Sequence, residues 1–165
     1  MAGPADPDRM ADGPLTPKGA ILLAALESSR DLIARQLVQH SHAIPDHDLN
    51  YLTVSSLLQV LFLKTGQECG FVEPGTLAAL SACDGIAKRM GRACSDAGLE
   101  GELFFGKGPS GSRALPVIPD EPLRAAIGRL DSTDLPGPIT GLPLEELAVV
   151  LEHFVATRMQ VGEGY

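Results

Sequence analysis

The 165-residue sequence has very few aromatic residues: no Trp, two Tyr and five Phe. Proteins that hold single-stranded nucleic acid by stacking depend on aromatic side chains, so this scarcity argues against a base-stacking platform. The hydrophobic core must instead be aliphatic, built mainly from Leu, Ala and Val. Long apolar runs are lacking too, since the run from Leu57 to Leu63 is interrupted by Gln59 and falls far short of the about 20 residues that cross a bilayer. We therefore expect no membrane segment.

Cysteine is also scarce, and Cys69, Cys83 and Cys94 show no close pairing pattern. Cys83 and Cys94 are predicted to share one helix, where a rise of about 16 Å would keep them too far apart for a disulfide. A reduced, cytoplasmic setting fits these cysteines best. Residues 1–16 are rich in Pro, Gly and Asp and lack the basic-then-apolar order of a signal peptide. We read them as a disordered leader to a helical domain at 17–160, with a tail at 161–165.

The net charge of −8 argues against strong DNA binding by this chain alone. From Leu99 to the end, five Lys and Arg stand against ten Asp and Glu, so this part would repel a phosphate backbone. Basic residues are nevertheless clustered elsewhere, within about one helical turn and in the loop that follows. We predict a DNA or partner contact there, at Lys88, Arg89, Arg92, Lys107 and Arg113. A solvated helix face is the alternative, and Asp84, Asp96, Glu100 and Glu102 weaken the local field.

Apolar residues recur at helical spacing along most of the chain, which predicts an all-α, single-domain bundle of about five helices. The second helix is apolar around most of its circumference and is therefore expected at the centre of the bundle. A glycine- and proline-rich loop, with room for a small hairpin, is expected between Leu99 and Pro119. The predicted helices run from Pro17 to His40, from Asp46 or Asp48 to Gly70, from Thr76 to about Gly98, from Asp120 to Leu130, and from Pro143 to about Met159.

Polar residues at the helix starts are expected to act as N-caps, because their side chains can accept from unpaired backbone N–H groups. The expected caps are Asp46 or Asp48 for the second helix, Thr76 for the third and Asp120 for the fourth. In the final helix, the predicted inward stripe consists of Leu144, Leu147, Leu151 and Phe154.

Two glycine patterns in the loop imitate phosphate-binding motifs. Residues 106–111 match G-x-G-x-x-G, and residues 101–107 have part of the P-loop spacing. Pro116 and Pro119 follow instead of a helix, and Gly108 stands where a P-loop needs Ser or Thr. These patterns therefore favour a flexible loop over a nucleotide site.

Other reactive patterns are equally incomplete. His40, His42 and His47 lie close to Asp46 and Asp48 in the sequence, but without an ordered ligand spacing they favour a solvated turn over a metal site. There is no Glu-x-Lys or Asp-x-Lys, which a PD-(D/E)xK nuclease requires, and no Gly-x-Ser-x-Gly elbow. We expect no catalytic, cofactor-binding or metal-binding residue.

Several segments resemble, in the same order, the helical region that precedes the adenine methyltransferase in fused type II restriction-modification enzymes. Leu57 to Lys64 and Gln67 to Gly70 resemble the helix "LLFLRFxEDRG" of those enzymes. Gly101 to Phe104 is similar to their "NGGLF" element, with Glu100 and Glu102 replacing the Asn and the second Gly. The other matching segments are Glu73 to Leu77, Leu123 to Leu130 ("LxxIIxxL"), and Leu142 to Leu147 with Leu151 to Val155 ("IPVEILGxxYEQFL"), so the resemblance covers roughly residues 30–159.

The resemblance implies a non-catalytic connector that positions DNA-processing parts, with a methyltransferase or nuclease as its partner. Similar segments occur in phage-exclusion methyltransferases. A methyltransferase of this family needs an Asn/Asp-Pro-Pro-Tyr loop, but this chain has a single Asn, Asn50, and no Pro-Pro. Two alternatives stay open. One is a free-standing acidic helical protein that regulates a restriction enzyme or mimics DNA; the other is an enzyme with an unrecognised metal or nucleotide site.

Overall fold

The computed structural model describes residues 15–40, 43–98, 116–131 and 137–156. These residues form six α-helices and one 3-10 turn at Ile139–Gly141, with no strand among them, which confirms the predicted all-α class. The helices are α1 Pro17–His40, α2 Asp46–Cys69, α3 Thr76–Ser81, α4 Ile86–Asp96, α5 Asp120–Leu130 and α6 Leu144–Ala156. The predicted hairpin, the glycine patterns, most of the predicted leader and the predicted tail lie outside the described residues.

Helix α2 occupies the middle of the bundle, as its apolar circumference predicts. It contacts α1, α3, α4, α5 and the 3-10 turn. Leu57, Val60 and Leu63 are buried within it. The helix ends at Gly70, whose φ of 88° is the left-handed conformation that glycine adopts without strain, and the Gly70 N–H donates to the Gly66 carbonyl.

Helix α5 is a second central element, although it is much shorter than α2. It contacts α1, α2, α3 and α4, and its apolar side chains Leu123, Ala126, Ile127 and Leu130 are buried. Just beyond its end, Asp131 forms a 2.9 Å ion pair with Lys64 of α2, and both side chains are largely shielded from water. These contacts place α5 between α1 and the α3–α4 pair.

The prediction of one continuous third helix is wrong, because the structure has two helices there, separated by a break at residues 82–85. Gly85 has a φ of 68°, which ends any continuous right-handed helix at that point. Cys83 lies in the break, so it does not share a helix with Cys94 as predicted. All three cysteines are free.

The predicted N-caps are also wrong, because each proposed residue lies inside its helix rather than before it. The residues at the cap positions of α2, α3 and α5 are Pro45, Gly75 and Pro119, and none caps its helix with a side chain. Thr76 uses its hydroxyl to donate to the Glu73 carbonyl.

At the starts of α3 and of the 3-10 turn, backbone N–H groups are instead bound by side chains of α2. The Gln67 side chain of α2 accepts from the Leu77 N–H of α3 at 2.8 Å. The neighbouring Glu68 carboxylate accepts from the N–H groups of Ile139 and Thr140 in the 3-10 turn, at 2.9 and 3.0 Å. Tertiary packing therefore supplies hydrogen bonds that local capping residues usually provide.

Helix α6 packs against α1 with a different stripe from the one predicted. Leu144 is 77% exposed, whereas Val150 and Phe154 are buried and Leu147 and Leu151 are partly buried. Leu144 begins the helix, ahead of the first residue that reaches the core, so including it in the stripe is wrong. No described helix combines the length and apolar character that crossing a membrane requires.

Candidate functional site

Three of the predicted contact residues lie together on the exposed side of α4: Lys88, Arg89 and Arg92. Arg89 and Arg92 border a groove of about 430 Å³ between α4 and the segment that leads into and through α3. A second recess of about 300 Å³, lined by all three cations with Asp84 and Gly85, adjoins it. We call the two together the basic groove after its three cations, and the carboxylates of Glu73, Asp84 and Asp96 line it as well. The larger recess is lined by Glu73, Pro74, Gly75, Thr76, Ala79, Leu80, Cys83, Arg89, Arg92, Ala93 and Asp96.

Helix α5 fixes the shape of this groove by binding both sides of the α3–α4 break. The Asp120 carboxylate accepts from the backbone N–H groups of Gly85 (3.0 Å) and Ile86 (2.9 Å), at the start of α4. One turn later, Arg124 donates to the carbonyls of Ser81 (2.7 Å) and Cys83 (3.2 Å), at the end of α3. An anion at a helix N-terminus and a cation at a helix C-terminus both complement the helix dipole.

The two α5 residues also explain an electrostatic feature of the site. The backbone hydrogen bonds from Ile86 and Gly85 lower the pKa of Asp120 below its ordinary value, and the charge of Arg124 adds to this effect. Asp120 thus stays ionised and occupies the N-terminus of α4, a position where helices commonly bind external anions. The N-terminus of α4 is therefore already occupied by an anion of the protein itself.

The cations of the groove are largely uncommitted within the described part of the chain. Lys88 and Arg92 make no hydrogen bond or ion pair there, and Arg89 uses only its Nε, which donates to the Asp84 carbonyl at 2.9 Å. The nearby carboxylates of Asp84 and Asp96 form no ion pair with them in this part of the structure. The guanidinium forks of Arg89 and Arg92 are therefore available to a ligand that carries carboxylate or phosphate groups.

The other predicted site residues are not brought into this groove. Lys107 and Arg113 lie outside the described residues, as does His42. The His40 ring contacts the Gln36 carbonyl at 2.8 Å, and the His47 ring lies 3.7 Å from the Asp48 carboxylate. Across residues 15–40, 43–98, 116–131 and 137–156, no three His, Cys, Asp or Glu side chains are grouped in a way that could hold a metal ion.

Sequence reasoning missed Asp120 and Arg124 as the residues that shape the site. Their spacing of four and their opposite charges are visible in the sequence, and Asp120 is a helix-start residue. Read locally, Asp120 caps its own helix. Its real partners lie more than 30 residues earlier, which no local pattern reveals.

Comparisons with protein-family models, with curated proteins and with solved structures found no match. Function must therefore be inferred from the residues of this chain and their geometry.

Proposed function

We propose that this chain is a non-catalytic helical connector or accessory module of a type II restriction-modification system, which holds a methyltransferase or nuclease partner in position. The basic groove is the partner-facing surface of this module. DNA is contacted weakly or through the partner, because a net charge of −8 opposes direct binding to a phosphate backbone. The setting we propose is the cytoplasm.

The observation that carries this proposal concerns two polar residues, Gln67 and Glu68, in the segment that matches best. Gln67 and Glu68 stand where the restriction-modification helix has its "ED" pair, and both side chains bind backbone N–H groups of neighbouring elements. They join α2 to α3 and to the 3-10 turn. Because these side chains form hydrogen bonds that join elements, they favour a scaffolding role for the segment over a reactive centre.

The apolar residues of the matching segments support the same reading. Leu57, Val60 and Leu63 of α2 share one buried core with Leu123, Ile127 and Leu130 of α5. Phe154 of the final matching segment belongs to that core as well. The segments that resemble the connector therefore define the core of one bundle, which is what a rigid spacer between two working parts needs.

The test is to isolate the tagged chain from native lysate of its source at low and at high salt, and to identify co-purifying proteins by mass spectrometry. We expect a methyltransferase or nuclease in stoichiometric amount at low salt, and less of it at high salt if charged residues contribute. The bait R89Q/R92Q reports whether the groove is used, and R35Q, which removes one positive charge from α1 instead of two from the groove, is its control. Absence of such a partner under both conditions would overturn the proposal.

The purified protein also separates this proposal from its two rivals. A stoichiometric metal ion or nucleotide that co-purifies with the chain would favour the enzyme alternative over the connector. Inhibition of a restriction enzyme by the free chain, in competition with DNA, would instead favour the DNA mimic.

A further inference from the structure

We propose that the basic groove binds an acidic polypeptide segment in which an apolar residue lies between two acidic residues. We also propose that the groove does not bind the phosphate backbone of DNA. This inference rests on the proposed partner-binding function and names the chemistry that the groove recognises.

Three cations of α4 provide the positive charge of the groove, beside three carboxylates that also line it. Arg89 and Arg92 project from one face of α4, three residues apart, with Lys88 beside them. A guanidinium can hold a carboxylate through two parallel hydrogen bonds, and the Nη groups of Arg89 and all of Arg92 are uncommitted among the described residues. Two carboxylates spaced along a short segment match two such forks.

The acidic residues of the groove discriminate between kinds of anion. Glu73 and Asp96 line the larger recess and Asp84 lines the smaller one, so carboxylates are interspersed with the cations. Duplex DNA carries about one negative charge for each 1.7 Å of its axis and could not avoid these carboxylates. A polypeptide can place its charges opposite Arg89 and Arg92 and neutral residues opposite Glu73 and Asp96.

The floor of the larger recess supplies an apolar contact that a phosphate backbone would not use. Pro74, Ala79, Leu80 and Ala93 line it beside the arginines. Burying a Leu-sized side chain in such a place is favourable because it removes apolar surface from water. The volume of about 430 Å³ is at the lower end of the range for ligand pockets, which suits a short segment with one or two anchoring side chains.

The experiment measures fluorescence anisotropy with three labelled probes: an acidic peptide of Asp and Glu with a central Leu, the same peptide with Ser in place of that Leu, and a mixed-sequence DNA duplex. The full chain is compared with R89Q/R92Q and with the control R35Q. A second pair, A79E and A78E, places the same new charge on two exposed alanines of α3, of which only Ala79 lines the groove.

We expect the Leu-containing peptide to bind more tightly than the other two probes. R89Q/R92Q should weaken this binding by about tenfold or more, which corresponds to about 1.4 kcal/mol or more, because the charge-assisted hydrogen bonds of both guanidinium groups are lost. A79E should weaken it as well, whereas A78E and R35Q should leave it unchanged. Far-ultraviolet circular dichroism of each variant confirms that the helices are retained.

Three results would overturn this inference: tighter binding of the duplex than of either peptide, equal binding of the Leu and Ser peptides, or no peptide binding at all. None of these results would contradict the proposed connector function. If native co-purification still recovers a methyltransferase or nuclease, the partner binds elsewhere on the bundle and only the assignment of the groove fails.

Discussion

The carboxylate of Asp120 accepts a 2.9 Å hydrogen bond from the backbone N–H of Ile86, a residue 34 positions earlier in the chain. The same carboxylate binds the Gly85 N–H, so one side chain of α5 completes the first turn of α4. The orientation of the basic groove therefore depends on a residue that does not line it.

Replacing Asp120 with Ala should loosen the start of α4, because the N–H groups of Gly85 and Ile86 lose their acceptor. We expect faster hydrogen exchange at residues 85–89 and a lower midpoint of thermal unfolding. The control is E121Q, since Glu121 is the adjacent exposed carboxylate and binds only Arg124 among these groups. Equal exchange at the start of α4 in D120A and E121Q would contradict this role for Asp120.

The contribution of Asp120 to stability should depend on pH in a defined direction. Its pKa in the folded protein lies below the ordinary value of 3.8, because backbone N–H groups favour the ionised form. The stabilisation is therefore fully present above that ordinary value and is lost as the pH falls toward the folded-state pKa. In urea unfolding at a series of pH values, the stability difference between the wild-type chain and D120N should shrink below about pH 4. A difference that stays constant or grows on acidification would contradict the assignment.

Gly66 should not tolerate even one added methyl group. A Cβ at this position would overlap the Val72 side chain, whose Cβ lies 3.0 Å away, and Val72 is buried and stiff about χ1. We expect G66A to destabilise the fold by about 1–3 kcal/mol, as overpacking does. The matched control G128A lies on the exposed side of α5 with open space around it, so there we expect stabilisation of about 0.5–1 kcal/mol. Urea unfolding of both variants measures the two effects, and a shared sign would refute the explanation.

The buried guanidinium of Arg30 should hold the end of α6 on α1. Arg30 is 4% exposed, its Nη1 donates to the Phe154 carbonyl at 3.0 Å, and its Cζ lies 5.3 Å from the centre of the Phe154 ring. Replacement by Met keeps much of the volume but removes the donor and the cation, so we expect a loss of about 1–3 kcal/mol. The control R92Q replaces an exposed arginine that makes no hydrogen bond or ion pair in the described part of the chain, so it should change the free energy of unfolding by no more than about 0.5 kcal/mol. If R30M is as stable as R92Q, the contact of Arg30 with Phe154 is not a stabilising one.

The three thiols should react with a disulfide reagent at different rates in the folded protein. Cys69 is exposed, Cys83 is partly exposed in the break between α3 and α4, and Cys94 is buried, with burial raising its thiol pKa to about 12. Since the thiolate is the reacting form, Cys94 should stay unmodified at pH 8 until the protein unfolds. Single-cysteine variants followed by mass spectrometry check the order. Rapid modification of Cys94 in the native protein would show that its part of the core opens readily.

Local patterns predicted the helices best where their ends are set by nearby residues. Helix α1 runs from Pro17 to His40 as its periodicity indicates, and α2 ends beside Gly70, where glycine adopts a left-handed conformation. The position of α2 at the centre was also predictable, because a helix that is apolar on most sides has to be surrounded by others. The clustering of Lys88, Arg89 and Arg92 follows from helical spacing alone.

The tertiary structure decided what those patterns could not. The sequence by itself determined an all-helical aliphatic bundle, since the period of the apolar residues and the positions of Gly and Pro act over a few neighbours. The cap that Asp120 supplies to α4, and the hydrogen bonds from Arg124 to the end of α3, exist only when α5 docks against α3 and α4. These features depend on hydrogen bonds and contacts between residues more than 30 positions apart, and such pairings leave no signal in the local order of the chain.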